Sequence, residues 1–311
     1  MSSPGGSFGF TAAGRQWYPS LRRFAELQVA SQDIDPLYPV LRHLQRGMKE
    51  EQALWHSLLY LAYYNVASST IAFADHPAPT RIEGPLAHLG FGRERRAFPG
   101  EMLGVHTLSL VVHASIHGGL KPWLEQRMEG DPRRDWATVQ WTLQQAEQNG
   151  RWAAYKGAEV LARVHGWPLE ATDMGHAFST GPRRGLALFY GPVPSNRAVA
   201  VRLLNAQGEH LRRRLAEDGV NLGVEQLETV LCDFHAMTDG AYYVGHDIDQ
   251  LQEQLDKAWR RGIDRRPLLD PVWAARRAVL PAAYLGEENG WSGVDQHRCR
   301  AYRETGQVLP R

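Results

Sequence analysis

Apolar positions along the chain fall mainly at helical spacing. Residues 223–238 carry Leu227, Val230, Leu231 and Phe234, the i, i+3, i+4, i+7 series of one buried helical face. Residues 248–261 follow with Leu251, Leu255 and Trp259 on a second face. The stretch 49–74 is a long, nearly all-apolar segment, and a helix apolar on every side belongs at the centre of a fold. Asp35-Pro36 has the form of an N-cap followed by proline, opening a helix through Leu41 and Leu44. Asp131-Pro132 opens another that stops near Gly150, and Arg151–Val164 forms a further one ending before Gly166 and Pro168. The segment 186–194 (LALFYGPVP) fits a short strand or an extended connection. The pattern predicts an all-α fold: a Gly/Ser-rich flexible lead-in over 1–14, a helical catalytic domain over 15–265, and an irregular C-terminal extension over 266–311 packed on the core.

Composition narrows the function classes. Hydrophobic residues make up 43 % of 311, enough for a packed core. Nowhere do about eighteen apolar residues run together, so no membrane helix is expected. The opening MSSPGGSFGF lacks the basic and apolar regions of a secretory signal. Two distant cysteines, Cys232 and Cys299, point to a reducing, intracellular setting. Net charge is only +1, yet 31 of the 35 basic residues are Arg. Arginine's planar fork suits phosphate and base edges, while a GC-rich genome gives the same bias. The chain has neither a GxxxxGK[ST] loop nor a GxGxxG turn, which argues against a P-loop kinase or a dinucleotide enzyme.

Three stretches carry polar groups that helix packing does not call for. In 55–65, Asn65 ends an apolar run; a buried amide has to be hydrogen-bonded, either to a ligand or to a neighbouring backbone group. In 174–185 (MGHAFSTGPRRG), glycines alternate with His176, Ser179, Thr180, Arg183 and Arg184, a density of donors suited to phosphate or pyrophosphate; the plainer reading is a surface loop. In 231–249, Asp233 and His235 flank the buried stripe. Tyr242 and Tyr243 have the rings to stack on a base. His246, Asp247 and Asp249 suit a cation or an amine. Asp247 with Gln250 equally resembles an N-cap with a capping box, and no metal is assigned. The separate histidines His88, His106, His113, His117 and His165 form no closed ligand set, and the Arg212–Arg214 and Arg260–Arg266 runs suit either a DNA backbone or solvent.

Four segments, WHSLLYLAYYNVAS (55–68), GRWAAYKGAEVL (150–161), MGHAFSTGPRRGL (174–186) and CDFHAMTDGAYYVGHDID (232–249), resemble the alpha-glutamyl/putrescinyl thymine pyrophosphorylases. These are bacteriophage amino acid:DNA transferases that hypermodify thymine. The resemblance implies a fold related to the helical DNA glycosylases and a phage protein working in the host cytoplasm without a cofactor. It implies a substrate, DNA bearing pyrophosphorylated 5-hydroxymethyluracil, on which an amino acid such as glycine, or a polyamine, replaces pyrophosphate. The expected pyrophosphate ligands are His176, Ser179, Thr180, Arg183 and Arg184, with Lys156 in support. Asp233 or His235 is expected to act as base, with Asp247 or Asp249 holding the ammonium form. Asn65, Tyr242, Tyr243 and His246 are expected at the base. A helical glycosylase or lyase, and a noncatalytic DNA-binding accessory, are the alternative readings. No LPGVG-type helix-hairpin-helix turn occurs in the chain.

Overall fold

The computed structural model describes residues 9–35, 37–92, 98–176, 179–194, 197–261, 263–285 and 304–305. Within them the chain is all-α, with no strand. The helices are α1 (Ala12–Ser31), α2 (Leu37–Leu44), α3 (Glu50–Tyr63), α4 (Val66–Asp75), α5 (Glu101–His117), α6 (Leu120–Glu125) and α7 (Pro132–Leu143). They continue with α8 (Arg151–Arg163), α9 (Gly181–Tyr190), α10 (Arg197–Glu217), α11 (Val224–Thr238), α12 (His246–Arg261) and α13 (Asp270–Val279). Pro36, most of the lead-in and most of the chain after 285 lie outside the described residues.

Two local expectations change. Residues 186–190 are neither strand nor extended connection: they complete α9, which starts with Pro182 in its first turn and stops at Gly191, where φ is +82°. Leu186 and Phe189, three apart, are both fully buried; a five-residue apolar run is too short to display that period in sequence. The long apolar segment 49–74 is also two helices rather than one. Tyr64 turns left-handed (φ 48°) to end α3, and Asn65 caps α4 by accepting a hydrogen bond from the Ser68 N–H at 3.1 Å. The asparagine cap satisfies a backbone donor that an uninterrupted helix would not leave open.

The chain divides into two compact units. Of the described residues, the first takes those up to 34, 171–244 and 304–305, hence α1, α9, α10 and α11; the second takes those in 35–170 and 245–285, hence α2–α8, α12 and α13. In the first unit the stripe Leu227, Val230, Leu231 and Phe234 is fully buried, as its spacing predicts. Phe24 and Phe189 meet Phe234 with ring centroids 5.6 and 6.0 Å apart. Helix α9 lies directly on α11 because two glycines face it. A Cβ at Gly185 would sit 2.9 Å from both the Leu231 carbonyl carbon and its Cβ, and one at Gly181 would strike the Cys232 side chain. In the second unit α3 packs on α4, α6 and α8, and α13 covers α2 and α4. Asp131 caps α7 through the N–H groups of Arg133 and Arg134, as the sequence predicts.

Candidate active site

In the first unit, Asp233 projects from the flank of the buried α11 stripe. Its Oδ2 accepts a hydrogen bond from Gln28 Nε2 at 2.9 Å. The same Gln28 amide nitrogen lies 3.4 Å from the Tyr242 hydroxyl, which donates to Asp33 Oδ2 at 3.0 Å. Asp33 reaches this place because α1 ends at Gln32 in a left-handed turn (φ 59°) and the next N–H folds back onto the Gln28 carbonyl at 3.0 Å. Two carboxylates 200 positions apart are thus bridged by a neutral amide and a phenol. Gln28 and Asp33 are fully buried, and the Gln28 Oε1 has no hydrogen-bond partner. A buried acceptor left open beside a carboxylate is costly to keep, on the order of 1–3 kcal/mol, and such positions call for a donor.

The glycine-rich segment leads into α9, which packs on α11 at Leu231 and Cys232. Gly175 takes φ +65°, its N–H donating to Asp173 Oδ1 at 2.6 Å, and the Ser179 N–H closes the turn on the Gly175 carbonyl at 2.8 Å. Ala177 and Phe178 lie outside the described residues. His176 is fully buried, and neither ring nitrogen has a hydrogen-bond partner. Burial, with Arg183 nearby, brings its pKa down to about 4, so the ring is neutral at pH 7. Thr180 stands at the start of α9 without capping it, and the first turn holds Arg183 and Arg184 but no acidic residue. The positive end of the helix dipole therefore carries two further cations and no acid within the helix's own first turn, while Glu228 of α11 brings a carboxylate to Ser179 just ahead of it. Ser179 Oγ lies 3.4 Å from Glu228 Oε1 of α11. Because Gly181 rests on Cys232, this turn and Asp233 are carried by helices in direct contact.

His235 and Tyr243 complete the predicted residues of this unit. His235 is partly exposed, with Nδ1 3.4 Å from Asp239 Oδ2. The rings of Tyr242 and Tyr243 are buried, at 5 % and 1 % exposure, so their faces pack within the protein.

The remaining predicted residues belong to the second unit. Lys156 is buried with its Nζ 2.7 Å from Glu159 Oε2 and 3.3 Å from Asp35 Oδ2. Burial pushes the Glu159 carboxyl well above the usual carboxylate range; Lys156 opposes this and Asp35 adds to it. Asp35 itself takes a left-handed φ of 54°. Asn65 is committed through its Oδ1 to capping α4. Asp247 lies inside the first turn of α12 rather than at its cap, and Gln250 reaches the His246 ring at 3.3 Å instead of closing a capping box. His246 Nδ1 is 3.2 Å from Asp247 Oδ1, and Asp249 is fully buried. Among the described residues, no group of three or more His, Cys, Asp or Glu is placed to hold a metal ion.

Residues 29–241 match the family model described as "Amino acid:DNA transferase". The chain belongs to that family. No curated protein matches it. The matched stretch contains Asp33, the 174–184 segment, Asp233 and His235, and ends just before Tyr242. An amino acid:DNA transferase acts on DNA. No helix among the described residues of this transferase is long and apolar enough to cross a membrane.

Gln28, Asp33 and Glu228, which bond to the predicted residues Asp233, Tyr242 and Ser179, are ones that sequence reasoning alone does not pick out. A signal for Gln28 exists: it continues the buried positions Leu21, Phe24 and Ala25 of α1, so it is a polar residue within an apolar stripe. For Asp33 and Glu228 nothing in the local pattern separates them from surface acids.

Proposed function

We propose that this transferase attaches an amine to the 5-methylene of pyrophosphorylated 5-hydroxymethyluracil in DNA, releasing pyrophosphate. The observation that carries the reading is the start of α9, an uncapped helix terminus with Arg183 and Arg184, packed onto α11 one residue before Asp233. The chemistry needs a cradle for a leaving group of dense negative charge and a base beside it. Arg183, Arg184, Ser179 and Thr180 supply the cradle, and their charge is worth most as the methylene–oxygen bond breaks. His176, neutral at pH 7, serves there as a hydrogen-bond donor rather than a cation. The amine nitrogen forms the new bond to the methylene carbon and gives its proton to Asp233, while Gln28 Oε1 accepts a second N–H and orients the lone pair. Tyr242 and Asp33 hold Gln28 in that position. The base reaches this face flipped out of the helix or from a single strand. The proposal places the reaction on phage DNA in the host cytoplasm, with Lys156 and Asn65 supporting the second unit.

Asp233→Asn keeps the shape and the acceptor for Gln28 but removes the base. Pyrophosphate release from DNA carrying the activated base falls by roughly 10²–10⁴-fold, the usual range for a general base, while DNA affinity holds. Release at the parent rate in Asp233→Asn overturns the assignment.

A further inference from the structure

We propose that the outer face of α5 is the contact between two copies of this chain, which pair antiparallel about a two-fold axis close to Leu108 and Ser109. The pairing goes beyond the reaction proposed above and does not depend on it.

Helix α5 is apolar on two sides. Leu103, Leu110 and Ala114 are buried. On the other side Met102, Val105, Leu108 and Val112 are 41–46 % exposed, and Ile116 is 70 % exposed. Steps of three or four residues put all five on one stripe, about 21 Å long at 1.5 Å per residue. From Met102 to His117 the helix has no Asp, Glu, Lys or Arg. Its polar side chains within that span are already committed. His106 Nδ1 donates to the Glu147 carbonyl at 2.8 Å, and His113 Nε2 donates to the Gln145 carbonyl at 3.2 Å. Ser109 Oγ accepts the Glu147 N–H at 3.1 Å, while Thr107 and Ser115 each donate to a carbonyl of their own helix at 2.8 Å. A helix apolar all round belongs in a core, and here one side of it faces out. An uninterrupted exposed stripe of this kind marks an interaction site.

The chemistry of the stripe selects its occupant. It presents no cation to a phosphate backbone or to an anionic lipid surface. Ionisable groups stand only at its ends, Glu101 in the first turn and His117 in the last, and neither has a partner among the described residues. The stripe is also its own complement. Turned end for end about its midpoint, it sets Met102 opposite Ile116, Val105 opposite Val112, and Glu101 opposite His117. A second copy therefore meets apolar groups with apolar groups along the whole length, brings an imidazole N–H to a carboxylate at each end, and opposes the two helix dipoles. A two-fold contact uses one patch twice and needs this self-complementarity. The contact takes up none of the residues assigned to the reaction.

The test is sedimentation equilibrium of the full chain from about 1 to about 100 µM protomer. A contact centred on one helix pair is small, so a dimer with Kd on the order of micromolar is expected. Leu108→Asp and Val112→Asp, at exposed positions whose folding circular dichroism checks, raise Kd by roughly 100-fold, because each places an unpaired charge in the contact twice. Glu101→Lys weakens the dimer by about tenfold, and Glu101→Lys/His117→Glu restores it. Cross-linking reads the direction of the helices. In the antiparallel pair Val105 is level with Val112 of the second copy, and about 10 Å along the axis from its Val105, beyond disulfide reach. A mixture of Val105→Cys and Val112→Cys therefore forms a linked dimer on oxidation, and neither variant alone exceeds the background of the parent's own cysteines. A monomeric parent chain, an unchanged Kd in both Asp variants, or self-linking of Val105→Cys overturns the proposal. A monomer that Leu108→Asp destabilises puts a segment of the same chain on this face and overturns it equally.

Discussion

Replacing Lys156 by Met separates a structural role from a ligand role. Lys156 is 3 % exposed, and its ammonium lies between Glu159 Oε2 at 2.7 Å and Asp35 Oδ2 at 3.3 Å. Removing one partner of a buried ionic group leaves the others desolvated, at a cost of about 3–5 kcal/mol. Part is recovered when one carboxyl takes up a proton, and that uptake gives the prediction a pH signature. The folded-state pKa of Glu159 is already raised by burial, with Lys156 pulling it down. For a group raised on folding, stability is fully present below the ordinary carboxylate range and is lost as pH rises through the folded value. Lys156→Met deletes the opposing influence, so the pKa rises further and the loss is larger at about pH 8 than at about pH 5.5. Urea unfolding followed by circular dichroism at both pH values measures it. The double variant Lys156→Met/Glu159→Leu recovers part of the loss, because it removes the stranded carboxyl. A pH-independent loss under about 1 kcal/mol, accompanied by failure to release pyrophosphate, refutes the reasoning and returns Lys156 to the leaving-group site.

Two further outcomes follow from packing and burial. Gly185→Ala forces α9 off α11, since the new Cβ has backbone and Cβ atoms of Leu231 at 2.9 Å; the expected cost is about 1–3 kcal/mol in urea unfolding, with a weaker grip on pyrophosphate in a competition assay. His56, His106, His165 and His176 are held by burial at pKa values of about 3, 4, 4 and 4, against an ordinary 6.5. Stability from groups depressed on folding is present above pH 6.5 and is lost as pH falls toward 4, by at most about 1.4 kcal/mol per pH unit for each ring. A urea midpoint that stays level from about pH 7 to about pH 5 contradicts this.

The helical class and the main buried faces are legible in the sequence because they depend on local spacing. Leu227, Val230, Leu231 and Phe234 repeat at helical intervals, and Asp131-Pro132 carries its own start signal. The close approach of α9 to α11 is not legible: Gly181 and Gly185 read as turn positions of a donor-rich loop, and only the fold sets them against Cys232 and Leu231. What is not legible depends on partners distant in sequence. Gln28, Asp33, Asp233 and Tyr242 form one hydrogen-bonded chain across more than 200 positions, and no local pattern pairs them. Lys156 has the charge of a phosphate ligand, and only the fold places Asp35 and Glu159 around it. The break at Tyr64–Asn65 is hidden by strong apolar character on both sides, although Asn is a good helix cap.

The most direct test of the central claim is a digest of DNA carrying pyrophosphorylated 5-hydroxymethyluracil after incubation with the protein and a mixture of amino acids and polyamines. Nucleosides are resolved by mass spectrometry, and free pyrophosphate is assayed in parallel. The account predicts a new nucleoside with the mass of an amino acid adduct, matched mole for mole by pyrophosphate. An intact pyrophosphorylated base with no adduct, or free base released from the sugar, contradicts it.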